Sequence, residues 1–442
     1  MPKRFGNIYP RIECKGNINR AITNAARGKQ RKNKAVKSYL KHRAEAIAYT
    51  QTEMNGGKYQ HPPYIEATIK DGPSQKERNI KKPLFKAQVV HWSLMLQIEP
   101  LIMRGMYDWN CGSVPGRGQS LCKRAVERWL RNDPEGTKYC LKLDISKFYP
   151  SINADVLKDS FRRIIKCHQT LDLIDSIIDS ADGVSIGNYS SQWFANFYLQ
   201  PADHFIKEKL RYATRRKKNG QVVKTDAIKY FARYVDDMTC FGPNKKRLHE
   251  AGRKLFDYLQ NVLKLKVKDD WQVFLVTVKR THRSGKRKGE AYFAGHDVDF
   301  LGYRMNHKRT IIRKRIAKRM KRKARRIAKK PAPSFRDAST MVSYNGYICH
   351  SDSFKFWANA IAPYINIEKM KEMISNAAQS HNVSGNGKRG TAQAHRRVSR
   401  RRSRADHAHR PGDGGGRCGR WRSYRIQIKQ IRGRMSVSRG TA

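Results

Sequence analysis

The segment YFARYVDDMTCFG, residues 230–242, sets two adjacent carboxylates, Asp236 and Asp237, inside an otherwise apolar run. Removing a carboxylate from water without a partner is strongly unfavourable. The run must therefore form a surface turn, a salt-bridged element or a metal site. YFARYV and MTCF read as two strands, with the carboxylates at the centre of a hairpin. No Lys or Arg lies in the tip, and Arg233 is on its flank. Neighbouring carboxylates raise each other's pKa unless a cation compensates, and a divalent metal resolves the repulsion. The chain carries its own control: Asp269-Asp270, in VKDDWQ, follows basic residues and needs no special role. A third carboxylate, Asp144, lies in YCLKLDISKFYPSI (139–152), which alternates like a strand and ends at a proline. Mg²⁺ takes one or two carboxylates together with substrate phosphates. Two such ions about 4 Å apart activate a 3′-hydroxyl and stabilise a leaving pyrophosphate.

Charge narrows the substrate. The 442 residues carry a formal net charge of +57 with 39 % apolar content, so a core forms and the excess charge needs an anionic partner. Nucleic acid is the stronger candidate and an anionic membrane the weaker. No apolar run approaches the ~20 residues of a spanning helix, and MPKRFGNIYPRIECKG has no signal-peptide core. The eight cysteines are scattered, which fits reduced thiols in a cytosol and argues against a cysteine zinc site.

Along the chain, residues 1–70 are basic with a helical pattern, and QVVHWSLMLQIEPLI reads as a buried helix. SVPGRGQSLCKRAVERWL is a Gly/Pro loop leading into a helix. In 190–210, Phe194, Phe197, Tyr198, Ala202 and Phe205 share one helical face, and Pro201 should kink the helix. RRKKNGQVVK is a basic hairpin-like insertion, KRTHRSGKRKGE a second basic loop, and VDFLGYRM a strand. From 311 to 330, Ile312, Ile316, Met320 and Ala324 recur every fourth residue on a helix otherwise almost wholly Arg and Lys. Arg313, Lys314, Arg315, Lys318, Arg319, Lys321 and Arg322 suit a phosphate backbone; a membrane or an acidic protein is the alternative. Beyond about residue 382 the composition turns to Arg and Gly. That stretch reads as a disordered RNA-binding tail or as a shifted reading frame, and its histidines, His395, His407 and His409, lack the partners of an HNH nuclease.

These motifs, taken in order, resemble a reverse transcriptase over roughly residues 65–360. LKLDISKFYPSI resembles the first catalytic-Asp motif of the palm, RYVDDM the Tyr-x-Asp-Asp motif, VSIGNYSSQWFANFYL the motif between them, and VDFLGY the primer grip. ERNIKKPLFKAQVVHWSL and SVPGRGQS resemble fingers motifs of bacterial, group II intron-like enzymes, and STMVSYNGYICHSD the start of their thumb. The resemblance implies that Asp144, Asp236 and Asp237, with the backbone carbonyl of Ile145, bind two Mg²⁺ ions, Mn²⁺ being possible. It implies that Tyr149 is a steric gate against the 2′-hydroxyl, its bland alternative being a strand-end aromatic. Arg78 would grip the triphosphate or be a surface charge. Gly187, Ser191 and Gln192 would line the nascent base pair, and Lys268 or Lys266 would protonate pyrophosphate. Phe300, Leu301 and Gly302 would position the primer end.

Ile186-Gly187 and Ser191-Gln192, where most relatives keep Gln-Gly and Ser-Pro, resemble the enzymes of diversity-generating retroelements, as do FGNIYPRI, ANFYL and FYPSI. That likeness implies error-prone copying of a template RNA onto a DNA or RNA primer from dNTPs, with a small basic accessory protein, in the cytoplasm of a bacterial or phage-infected cell. Ala87-Gln88 departs from the Asp-Arg pair of group II intron-like relatives. An abortive-infection, retron-like or group II intron-like reverse transcriptase, and a non-catalytic RNA-binding maturase-like protein, are the alternatives. A tyrosine at 149 argues against an RNA-dependent RNA polymerase. The expected fold class is α+β: a right-hand polymerase with a basic helical extension (1–65), fingers and an antiparallel palm sheet (66–305), a helical thumb (306–380) and a disordered basic tail (381–442).

Overall fold

The computed structural model describes residues 4–30, 33–71, 76–181, 183–215, 222–282, 284 and 287–383. The fold is α+β and divides into two compact units. One runs to Leu301 and takes in Met305–Lys308; the other holds Gly302–Arg304 and the chain from Arg309 onward. The strands are β1 (Ile65–Asp71), β2 (Lys76–Lys82), β3 (Tyr139–Leu143), β4 (Arg211–Arg215), β5 (Val222–Asp226), β6 (Tyr230–Tyr234), β7 (Asp237–Gly242), β8 (Gln272–Leu275), β9 (Val278–Thr281), β10 (Ala291–Ala294), β11 (Val298–Phe300), β12 (Tyr303–Met305) and β13 (Thr310–Ile312).

The first unit is organised by a four-stranded sheet of order β6-β7-β3-β8. Every pairing in it is antiparallel, with Leu143 opposite Met238 and Leu141 between Cys240 and Val273. Leu141, Leu143, Phe231, Met238 and Cys240 are buried; sealing a side chain of this size from water stabilises by roughly 1.5–3 kcal/mol. Helix Lys245–Asp257 packs on the sheet through Leu248, Ala251 and Leu255, and Asn244 caps it by accepting from the Arg247 amide at 3.1 Å. Gly252 is required at that contact, because a Cβ there would lie 2.8 Å from the Trp271 ring and 3.2 Å from Leu141.

The N-terminal helices belong to the same core. Helix Lys15–Ala26 buries Ile18, Ala21, Ile22 and Ala25, and the buried Asn17 amide donates to the carbonyls of Ile12 and Ser93 at 2.9 Å each. Its partner is helix Phe85–Met103, the buried helix expected from QVVHWSLMLQIEPLI. Helix Gln119–Asn132 follows the Gly/Pro loop, also as expected. β4 and β5 pair as the anticipated hairpin, whose connecting residues lie outside those described.

Four expectations need correction. The strand read over 139–152 stops at Leu143; Lys147 takes φ +45° and Phe148–Ser151 form a helical turn, so Pro150 lies within that turn and does not end the strand. VDFLGYRM is two short strands, because Leu301 and Gly302 both carry positive φ, +53° and +85°. Helix Tyr189–His204 is buried well beyond the expected face, Trp193, Ala195 and Leu199 included, with Gln192 and His204 exposed, and it runs through Pro201 into a π-turn at Phe205–Lys209. A helix largely wrapped by protein need not confine its apolar residues to one stripe. Lastly, Ile312 belongs to β13, since the basic helix begins at Lys314.

In the second unit, helix Lys314–Ala328 buries Ile316, Met320, Ala324 and Ile327. Lys314, Arg315, Lys318 and Arg322 are exposed, while Arg313, Arg319 and Lys321 are half-buried. Helix Phe335–Cys349 opens on a capping box between Ser334 and Asp337, and Asp337 also binds Lys323 and Lys330 at 2.6 Å each. Helix Ile367–Val383 ends the described chain, so the expected Arg/Gly-rich tail lies almost wholly outside it. Among the described residues no helix is long and apolar enough to cross a membrane.

Candidate active site

The register of the hairpin builds the site. Tyr234 pairs with Asp237, which leaves Val235 and Asp236 as a two-residue turn. Val235 has φ +61°. A positive φ at the first turn position suits the twist of a hairpin and is normally filled by glycine; on a β-branched residue it is strained, as backbone at functional sites often is. The strain is held from outside. A Cβ on Gly112 would lie 2.4 Å from the Val235 amide nitrogen, so only glycine lets that loop press on the turn. The Arg233 guanidinium donates to the Val235 carbonyl at 3.0 Å.

Arg233 is itself fully buried and grips Asp203 with two hydrogen bonds, of 2.7 and 2.5 Å. Burial pushes the Asp203 carboxyl up, and Arg233 pulls it back. Arg233 also donates to Asn196, which donates to the Gly112 carbonyl at 2.7 Å and accepts from Asn110 at 3.1 Å. The sequence placed Arg233 merely on the flank. Its signal was available, since a charged residue at the centre of an apolar strand needs a buried partner.

Asp144 is the first residue beyond β3, next to β7, so it sits beside the tip. Burial raises the Asp236 pKa, and the charges of Asp144 and Asp237 add to it against a pull from Arg78. The three carboxylates named from the sequence therefore share one electrostatic site. The cations missing from the tip come from neighbouring strands. Lys142 bonds Asp237 and stands 5.0 Å over the Phe300 ring, and Lys268 bonds Asp144. Of Lys266 and Lys268, it is the Lys268 side chain that bonds Asp144. Asp269-Asp270 is an exposed turn, as the control required.

Backbone geometry orients a further donor. The amide of Ser146 bonds the Lys266 carbonyl at 2.8 Å, and that of Lys268 bonds the Asp144 carbonyl at 3.0 Å. These bonds flank the Ile145–Val267 bridge, so the Ile145 carbonyl turns to the opposite side, that of β7. Among the described residues no three His, Cys, Asp or Glu side chains form a ready metal cluster. The donors present are hard oxygens of few carboxylates, the set that Mg²⁺ completes with substrate phosphates.

Around this centre, burial raises the Tyr149 hydroxyl to about 12, with the charge of Asp236 adding to the rise and that of Arg78 opposing it, so both lie within electrostatic reach of the ring. Gly187 has φ +123°, and a Cβ on it would lie 3.1 Å from the Lys81 carbonyl; β2 binds this loop through the Lys81 amide and Ile186 carbonyl at 3.2 Å. Ser191 is buried. Gln192 is exposed and, with Gly187, Lys82, Trp92 and Arg27, lines a cavity of about 1050 Å³. Phe300 is buried, and the Leu301 carbonyl accepts from Gln119 at 2.8 Å. Gly302 belongs to the second unit, where a Cβ would lie 3.0 Å from Ile316 and from Tyr347.

Sequence comparison fits this picture coarsely. The chain is similar to an intron maturase. It is 24 % identical over 165 residues to nuclear intron maturase 1, mitochondrial, of Arabidopsis thaliana, a match covering 37 % of this chain. The chain spans 20 % of the length of that curated relative. No family model matches.

One feature beneath the site escaped sequence reasoning. The His61 and His91 Nε2 atoms lie 3.0 Å apart, His61 Nδ1 is 2.6 Å from the Pro62 carbonyl, and His91 Nδ1 is 2.9 Å from the Ser190 hydroxyl. His61 Nδ1 must donate to that carbonyl. With both rings neutral, His61 Nε2 accepts from His91, whose Nδ1 accepts from Ser190; the pair cannot hold two protonated rings, since the facing Nε2 atoms would then both be donors. Burial, and then the neighbouring His61, push His91 down to about 3, whereas an unfolded imidazole titrates near 6.5. The unfolded chain thus takes the proton first. Stability is whole above about pH 6.5 and declines below it towards pH 3, at up to about 1.4 kcal/mol per pH unit. Thermal melts between pH 7.5 and 5 should show this slope, and His91→Asn should flatten it from a lower starting value.

Proposed function

We propose that the chain is an RNA-directed DNA polymerase on a right-hand frame of fingers, palm and thumb, adding dNTPs to a primer 3′-hydroxyl along an RNA template. The observation that carries this reading is the meeting of Asp144 with Asp236 and Asp237 at a strained, externally braced turn. A surface turn needs no buried bracing, and a chain that only bound RNA would gain nothing from the desolvated Asp236 carboxylate. Asp144, Asp236 and the Ile145 carbonyl would hold the metals, with Asp237 close behind. When bound, Mg²⁺, or Mn²⁺ in its place, lowers the pKa of the attacking hydroxyl and offsets charge on the departing pyrophosphate.

The chain's own groups do the rest. Arg78 orients the triphosphate. Tyr149 closes the space that a 2′-hydroxyl would fill. Lys268, freed from Asp144, gives its proton to pyrophosphate. Gly187, Ser191 and Gln192 border the nascent base pair, and Phe300, Leu301 and Gly302 hold the primer end. The cations of 313–322 bind the nucleic-acid backbone. The Ile186-Gly187 and Ser191-Gln192 pairs support a diversity-generating retroelement enzyme, with error-prone copying and a small basic accessory protein.

A second reading has its own support. The similarity to an intron maturase, and the lysines already paired with Asp144 and Asp237, also suit a maturase-like RNA-binding protein without polymerase activity. Primer extension on an RNA template tests the two together. Mg²⁺-dependent dNTP incorporation, with errors at template adenines, is expected; tight RNA binding without incorporation selects the second reading. In the same assay Tyr149→Ala should reduce discrimination against ribonucleotides by roughly 10²-fold. Unchanged sugar selectivity removes the gate role.

A further inference from the structure

The second basic loop, KRTHRSGKRKGE, takes no part in the site above. Its first residues, Lys279–Thr281, are not loop but part of β9, which pairs with β10 as a two-stranded ribbon. The base of the ribbon is fixed. The His296 amide bonds the Leu275 carbonyl at 2.8 Å, the Thr277 amide bonds the His296 carbonyl at 3.0 Å, and Gly295 has φ +86°, where a Cβ would lie 2.3 Å from the Leu275 carbonyl. Beyond that base, β9 and β10 form a two-stranded sheet of their own among the described residues.

The register sorts the side chains. Lys279 faces Phe293 directly on one side, together with Thr281 and Ala291. Arg280 faces Tyr292 on the other, where the His282 ring lies 4.5 Å from Tyr292. Phe293 is 71 % exposed and Tyr292 37 %. One exposed apolar side chain on a protein surface needs no explanation. Here the phenylalanine stands on a ribbon, a structure of marginal stability by itself, and every neighbour on its face is exposed and is Lys, Thr or Ala. At the outer end are Arg287 and Lys288, with Glu290 3.9 Å from Arg287 as the nearby acid.

We infer that this ribbon is an RNA-binding arm, distinct from the polymerase site, which stacks an unpaired base on Phe293 while Lys279, Arg280, Arg287 and Lys288 bind the flanking phosphates. The charge excludes an acid-poor apolar partner surface as the best fit, and aromatic faces between cations are how proteins hold unpaired bases. The inference rests on the proposed function only for RNA being the partner; it makes no use of the carboxylates.

The test uses the full chain and a labelled RNA stem-loop with an unpaired uridine loop, compared with a blunt duplex of the same stem. Phe293→Ser should weaken stem-loop binding about tenfold, leave duplex binding unchanged and leave the salt dependence as it was. Lys279→Gln with Arg280→Gln should weaken both RNAs and reduce the slope of log affinity against log salt by about 1.5. Equal stem-loop affinity for Phe293→Ser and the parent chain overturns the inference. So does a change confined to sedimentation, which would make the face a contact between copies. Primer extension on a short, loop-free primer and template is run alongside, and Phe293→Ser should not alter it. Failure of extension in the parent chain would count against the polymerase reading alone.

Discussion

Asp236→Ala should lower primer extension by about 10³-fold or more, roughly 4 kcal/mol of transition-state stabilisation, while RNA affinity stays within about twofold. The carboxylate is desolvated, faces Asp144 and Asp237, and sits at a turn rather than in the core. Removing it deletes the metal donor that the proposed function assigns to it and relieves like-charge repulsion, so the folded chain should be no less stable. A melting temperature equal to or above the parent's, together with lost synthesis, is the full expected result. Synthesis retained in the variant would remove Asp236 from the chemistry. Loss of RNA binding with it would mean that the turn had moved, and Asp236→Asn would then separate charge from shape.

The second large effect belongs to Arg233. Arg233→Met leaves Asp203 buried without its cation, a change that typically destabilises by about 3–5 kcal/mol. Arg233→Met combined with Asp203→Leu removes both charges, and by the same reasoning should return stability close to that of the parent chain. Synthesis should not return with it. The double variant still lacks the donor to the Val235 carbonyl, and misplacement of a reacting group by about 1 Å costs roughly 10²-fold. A restored melt with kcat about 10²-fold down assigns Arg233 a positioning role. Restoration of both would make the ion pair purely structural.

Much of the site was legible because its chemistry is written locally. Asp236-Asp237 break an apolar run, and a hairpin has one place for such a break. Asp144 follows a strand-like stretch, and the structure puts that strand beside the hairpin. What could not be read was pairing across the sheet. Lys142 and Lys268 reach Asp237 and Asp144 from neighbouring positions set by register, about 95 and 124 residues away in the chain. The turn's braces, Gly112, Asn196 and Asp203, carry no local pattern at all. Alternation also overran the strand at 144–152, because Lys147 turns left-handed where periodicity alone continues.

Strand β6 forms one edge of the central sheet, and an open edge is a template for joining another chain. Here three outward groups of that edge are already taken. The Tyr107 hydroxyl donates to the Phe231 carbonyl at 3.0 Å, the Arg233 amide donates to the Trp109 carbonyl at 3.1 Å, and the Cys111 amide donates to the Arg233 carbonyl at 2.9 Å. The loop that braces the Val235–Asp236 turn is thus also a cover strip over the sheet's margin. Lesions in it should have two consequences at once, a misplaced turn and a chain that self-associates into β-rich aggregates, and the second could conceal the first in any assay of crude extracts.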